Sequence, residues 1–183
     1  METAYIDKHK DLVTQCRNGS RKAQFELYKL YVKAMYNVAL RILNHAAEAE
    51  DVLQEAFLDA FTRLENFRGE TTFGLWMKQI VINKSINLLR KRKAELVPIE
   101  DVDVAEPEQE DALELELRVN EIREAVAMLS DGYRVVLTLY LFEGYDHEEI
   151  AHILKISENT SRSQYMRAKM RLNSLLEKRG VQR

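Results

Sequence analysis

The two prolines of this chain, Pro98 and Pro107, stand together in one short strip, and elsewhere only scattered glycines interrupt the sequence. Proline removes a backbone donor and clashes with the preceding helical turn, while glycine costs helix-forming free energy. With 6 glycines and 2 prolines in 183 residues, and few strand-like alternations, apolar residues recurring every three or four positions predict an all-α protein.

The strip that holds the prolines also holds the charge. Residues 95–121 carry 11 acidic residues against 1 basic, a net of −10. Residues 1–94 carry 16 basic against 11 acidic, and residues 122–183 carry 10 against 8, nets of +5 and +2. The overall −3 is therefore an average over two mildly basic blocks and one acidic strip, and does not exclude nucleic-acid binding. An acidic strip of this kind cannot bury enough apolar surface to offset its ordering entropy. It predicts two helical domains, 1–94 and 112–183, joined by an acidic linker at 95–111. No stretch approaches the roughly 18 apolar residues of a membrane span, and the amino terminus lacks a signal-peptide apolar core. The single cysteine, Cys16, excludes an internal disulfide framework, fits a cytoplasmic location, and reads as a structural thiol.

Periodicity and capping residues place the helices. A short one is expected at 5–17, ending at Asn18-Gly19. A second is expected at 21–43 behind the cap Ser20, with Phe25, Tyr28, Val32, Met35, Tyr36, Ala39, Ile42 and Leu43 at helical spacing. A third, 47–66, buries Val52, Leu53, Ala56, Phe57, Ala60, Phe61 and Leu64. After a loop at 67–71, Thr72 caps a fourth that runs into the basic run at 90–93. Beyond the linker, helices are expected at 112–129 and 132–142. Asp146 and Glu149 make a capping box for a short helix at 147–154. Ser157 caps the last helix, 158–178, which Gly180 closes. A short helix, a tight turn at Lys155-Ile156 and a longer helix have helix-turn-helix spacing.

On a helical wheel the last helix has two faces. Ser161, Tyr165, Ala168, Leu172, Leu175 and Leu176 point one way; Asn159, Arg162, Ser163, Met166 and Arg167 point the other. The outward set contains side chains that read base edges and phosphates in a major groove; the plainer alternative is a solvated face. Tyr165 belongs with the core rather than with stacked bases. The fourth helix is apolar on two sides, with Met77, Val81 and Leu88 on one and Leu75, Ile82 and Leu89 on the other. Between them runs a stripe of Trp76, Gln79, Asn83, Asn87 and Arg90. Tryptophan can stack on an unpaired base, asparagine can bond its edge, and Arg68 and the basic run can neutralise phosphate. A core tryptophan beside surface asparagines is the alternative. The third helix shows Glu48, Asp51, Glu55 and Asp59 opposite its apolar side, with Leu58 stranded beside them. Such a face suits either a basic partner helix, with Leu58 as anchor, or plain solvent. Catalysis or metal binding by these carboxylates would need a sheltered site with further ligands, which the pattern lacks.

Other chemistry is thinly represented. His147 and His152 are five apart, so they diverge by about 140° on a helix and cannot share a zinc ion. No glycine-rich phosphate loop and no nucleophile-elbow motif is present. No cofactor, metal site or enzymatic activity is expected.

The run AEDVLQEAF at 49–57, then FRGETTF at 67–73 with Trp76, then Asn83 and LLRKRK at 88–93, closely resembles a bacterial RNA polymerase sigma factor of the sigma-70 family. The kind is group IV, extracytoplasmic-function (ECF). The segment LKISENT at 154–160, continuing through Arg162-Ser163 to Arg167-Ala168, resembles that family's C-terminal promoter-reading helix-turn-helix. The fold implied is two helical domains, the second a helix-turn-helix of winged-helix-like type. Carried over residue by residue, the resemblance implies that Asp51, Gln54, Glu55 and Leu58 dock on the clamp helices of the largest polymerase subunit. Trp76, Asn83 and Asn87, with Arg68 and Arg90 beside them, would open and hold the −10 element. Asn159, Arg162, Ser163, Met166 and Arg167 would read the −35 element. The second domain would also meet the flap of the second-largest subunit. The linker would thread the polymerase cleft, where its charge mimics RNA. An anti-sigma factor, often membrane-anchored, would cover these surfaces.

The chain departs from the family pattern at several positions. Lys155 and Asn159 stand where glycine is common, so Lys155 should strain the turn or lengthen the helix. Ser161 replaces a usual valine, weakening a core contact, and Gln164 replaces a usual basic residue. The extra middle domain of housekeeping sigma factors has no room at 95–111. Two rival functions use the same residues differently. A stand-alone helix-turn-helix regulator would leave the third and fourth helices' polar faces idle. A sigma-like decoy would keep the docking face and dispense with the promoter-reading arginines.

Overall fold

A computed structural model describes residues 8–95 and 114–178. The acidic linker with Pro98 and Pro107, the expected start of the first helix at 5–7 and the expected closing Gly180 lie outside the described residues. Among the described residues there are eight α-helices, one 3-10 turn and no strand. The helices are α1 (Lys10–Arg17), α2 (Arg21–Leu43), α3 (Ala46–Thr62), α4 (Phe73–Glu95), α5 (Glu114–Ala127), α6 (Asp131–Leu141), α7 (His147–Leu154) and α8 (Glu158–Lys178). The chain divides into two compact units, Met1–Arg90 and Lys91–Arg183.

In the first unit, Ser20 Oγ accepts from the Ala23 amide and starts α2. Gly19, at φ 84°, turns the chain between α1 and α2 in a left-handed conformation that glycine adopts without steric cost. The core joins Leu27, Ile42 and Leu43 of α2, Ala49, Ala56 and Phe57 of α3, and Phe73, Met77 and Val81 of α4. Phe25, though at helical spacing, is 60% exposed and lies under the Lys29 ammonium, 4.8 Å from its ring centroid. The buried position on that turn is Leu27, with no exposed surface. The expected third helix ends at Thr62 and is followed by a 3-10 turn, Leu64–Asn66. His45 caps α3 through Nδ1, accepting from the Glu48 amide at 3.4 Å.

In the second unit, Ala125, Val126 and Leu129 meet Leu137 of α6 and Ala168 and Leu175 of α8. Arg134 is buried and donates to the Leu129 carbonyl at 2.7 Å, tying α6 to the preceding turn; Asp131 pairs with its other arm. The Asp146/Glu149 capping box is complete. After α7, Lys155 takes φ 55°, ψ 47°, and the Ile156 amide closes back on the Ala151 carbonyl at 3.0 Å. The substitution of lysine for glycine is thus absorbed as backbone strain, and α7 is not lengthened.

Candidate functional site

Three surfaces carry the residues singled out by sequence. On α3, Asp51, Gln54, Glu55 and Leu58 recur at helical spacing and all four are exposed, Leu58 by 68%. They form one stripe along the side opposite Val52, Ala56 and Phe57. The acidic face is partly neutralised from within. Lys84 of α4 reaches Asp59 at 2.8 Å and Glu55 at 3.3 Å. Its hydrogen bond and charge hold the Asp59 carboxyl below the ordinary carboxylate value, while Asp59 first and then Glu55 hold the ammonium above its own. All four residues of the stripe keep exposed surface, with the Glu55 carboxylate shared with Lys84.

At the start of α4, Thr72 Oγ1 accepts from the Leu75 amide at 3.3 Å. Trp76 is half-buried in an aromatic corner. Its ring centroid lies 5.3 Å from that of Phe67 and 5.8 Å from that of Phe73. Tyr31 of α2 backs Phe73 at 5.4 Å and bonds His9 through its hydroxyl at 2.8 Å. Gly74 makes this approach possible: a Cβ there would stand 2.6 Å from the Tyr31 ring. One side of the Trp76 indole thus packs against Phe67 and Phe73, and the ring keeps part of its surface open. Beyond it Gln79, Asn83, Asn87 and Arg90 line the exposed stripe, with Arg90 Nη1 donating to Asn87 Oδ1 at 3.4 Å. Asn83 lies two helical turns, about 10 Å, beyond Trp76. Arg68, in the loop before α4, is exposed and 3.9 Å from Glu70. Ser85 is buried on the opposite side, Ile86 is buried although it lies nearly in line with Gln79, and Leu75, on one of the two apolar sides, is 39% exposed.

On α8, Ser157 Oγ caps the helix by accepting from the Thr160 amide at 3.1 Å. Asn159, Arg162, Ser163, Met166 and Arg167 are all exposed, and Met166 shows 56% of its surface. Glu158 accepts from Arg162 at Nε (3.1 Å) and again at Nη2, and Ser163 Oγ donates to the Thr160 carbonyl at 3.0 Å. Ser161, standing where the resembled family usually has valine, is fully buried and its Oγ lies 2.9 Å from His147 Nδ1. A polar bridge thus links α7 and α8 at this buried position. The His147 ring stacks on Tyr140 at 4.6 Å and meets the edge of Tyr165 at 5.6 Å. Tyr165 is half-buried rather than fully in the core, 4.5 Å from Tyr140 by ring centroids, and burial pushes its phenol pKa up, with Tyr140 adding to the shift.

Sequence reasoning missed Arg17, Lys84, Glu158 and the His147–Ser161 bridge. Only Ser161 left a signal, as a hydroxyl on an otherwise apolar face. Among the described residues no group of three or more acidic, histidine or cysteine side chains is arranged to hold a metal ion.

Comparison with known proteins assigns the two units. The family model described as Sigma-70 region 2 matches residues 27–95, and that described as Sigma-70, region 4 matches residues 120–172. The chain is 30% identical to the RNA polymerase sigma-H factor of Pseudomonas aeruginosa, over 93% of this chain and 95% of that one. The chain belongs to the sigma-70 family of RNA polymerase sigma factors. It is also 32% identical to the ECF RNA polymerase sigma factor SigM of Bacillus subtilis, over 85% of this chain and 96% of that one, which places it with the ECF type. Among solved structures it resembles the sigma factor RpoE of Bartonella quintana, crystallised with the anti-sigma factor NepR. The TM-score is 0.58 and the identity 27%, over 86% of this chain and 97% of that one. CnrH, solved with the cytosolic domain of CnrY, shares the fold at TM-score 0.56 and 23% identity, over 91% of this chain and 95% of that one. This sigma factor thus acts in transcription initiation. No helix among its described residues is long and apolar enough to cross a membrane.

Proposed function

We propose that the division of labour follows the three surfaces. The domain at 1–94 docks on polymerase core through Asp51, Gln54, Glu55 and Leu58, and opens the −10 element with Trp76, Asn83, Asn87, Arg68 and Arg90. The domain at 112–183 reads the −35 element with Asn159, Arg162, Ser163, Met166 and Arg167 and meets the polymerase flap. The linker at 95–111 lies along the RNA path. The sigma factor is not itself an enzyme; it lends promoter specificity to core in the cytoplasm.

The observation that carries this reading is the amide-and-tryptophan stripe on α4, half-buried at Trp76 and exposed at Gln79, Asn83 and Asn87, beside flanks that bury Phe73, Met77, Val81, Ile82 and Leu89. Two exposed asparagines in a helix interior cost propensity, and base contact supplies a use for them that a solvated face does not. An anti-sigma factor would cover the same exposed faces; the Bartonella relative's crystallisation with such a protein supports this.

Run-off transcription with sigma-free core polymerase tests the reading. Promoter-dependent transcripts are expected from wild type, and Asp51→Lys should fail to co-purify with core. Core binding without transcription from any promoter of the host genome would turn the assignment toward a decoy. Normal co-purification of Asp51→Lys would remove that residue from the docking face.

A further inference from the structure

Arg17 ends α1, fifty residues before the loop that it touches. Its Nη2 donates to the Phe67 carbonyl, and its guanidinium carbon stands 5.8 Å from the Phe67 ring centroid. One residue is therefore held at two chemically different points, its backbone oxygen and its ring. Phe67 immediately precedes Arg68, and the peptide between them is planar. Fixing the carbonyl oxygen fixes that plane, and with it the direction in which the chain enters Arg68. Fixing the ring fixes the surface on which Trp76 leans.

The ordinary explanation for a basic residue in a last helical turn is compensation of the helix dipole. Here the end of α1 is already served by the backbone: Asn18, Gly19 and Ser20 donate to Thr14, Cys16 and Gln15. Arg17 directs its donors outward instead. A planar guanidinium can bond a carbonyl and face a ring together, whereas a compact ammonium is poorly shaped to do both.

We propose that Arg17 is a positioning residue for promoter opening, a strut from α1 that presets Arg68 and Trp76 for the single-stranded −10 element. This rests on the −10 role given above to Trp76 and Arg68. The test uses holoenzymes carrying Arg17→Ala, Arg17→Lys or Trp76→Ala on a promoter active with wild type, with 2-aminopurine in the −10 element reporting opening. Affinity for core and thermal unfolding are measured in parallel. Trp76→Ala should slow opening, Arg17→Ala should slow it about threefold to tenfold with core affinity unchanged, and Arg17→Lys should restore only part. Normal opening by Trp76→Ala would overturn the −10 reading itself. A slow Trp76→Ala beside a normal Arg17→Ala would overturn the strut alone, as would core affinity lost in step with opening. Full activity of Arg17→Lys would overturn the strut, since an ammonium keeps the charge without the two-point hold. Should Arg17→Ala not fold, Arg17→Lys carries the test.

Discussion

At the corner where α4 begins, Arg17, Tyr31, Phe67, Phe73 and Trp76 come from separate stretches of chain, and Gly74 is bare so that a ring from α2 can approach. On α8, by contrast, the bonds that orient the exposed side chains are local: Ser157 to Thr160, Glu158 to Arg162, Thr160 to Ser163. The first surface is a product of tertiary packing and the second is nearly a property of one helix. Damage to the support of the first should spread into the fold, while damage on the second should remain where it is made.

The comparison is most exposed at Phe67. Truncating a buried aromatic ring costs about 3–5 kcal/mol, so Phe67→Ala should lower the unfolding midpoint of the protein and slow promoter opening together. If opening fails while urea unfolding is unchanged, the corner is not the packed unit described. Arg167→Ala should behave in the opposite way. It should lose about 1–3 kcal/mol of discrimination at one −35 base pair with no change in thermal stability, seen in competition binding by holoenzyme. Unchanged preference would remove Arg167 from the reading set. Lys155→Gly replaces a left-handed lysine by the residue made for that conformation, and should stabilise the second unit by about 1 kcal/mol, measured by urea unfolding. A loss of stability would mean that the lysine side chain is holding the turn.

The smallest effect concerns Lys84. The lowered Asp59 pKa means stability that is complete above the ordinary carboxylate value, about 3.9, and lost as pH falls through the folded one. The raised Lys84 pKa means stability complete below the ordinary lysine value, about 10.4, and lost as pH rises through the folded one. Lys84→Gln should therefore lower the melting temperature slightly between these limits and converge with wild type at both ends. A difference that persists at low pH would assign the effect to packing. Exposure of the partners limits the size, as for most surface pairs.

Capping was legible in the sequence wherever donor and acceptor sit within a few residues. Ser20, Thr72, Ser157 and the Asp146/Glu149 box all act as their spacing indicated. The outward set on α8 was legible because a wheel needs only the helix itself. Phe25 was placed in the apolar set of α2 and is exposed, while Leu27, left out of that set, is fully buried, since which of two apolar neighbours is covered depends on what the other helices bring. Arg17, Lys84 and the His147–Ser161 bridge escaped for the same reason: their partners lie 50, 25 to 29 and 14 residues away, and no local rule names them. The polar serine inside the helix-turn-helix became intelligible only once the histidine opposite was placed.

Glu158 gives Arg162 a counterion that travels with it. An arginine gripping phosphate normally gains from the small cations that DNA sheds into bulk solvent. In the −35 role proposed for it, Arg162 would have to exchange part of its contact with a carboxylate one helical turn away before gripping phosphate. On arbitrary duplex that would lower what this arginine gains from phosphate alone. A base edge offering two acceptors to the other end of the guanidinium would leave the carboxylate in place. In that role the ion pair would favour the right sequence over the wrong one, by the small amount an exposed pair can contribute.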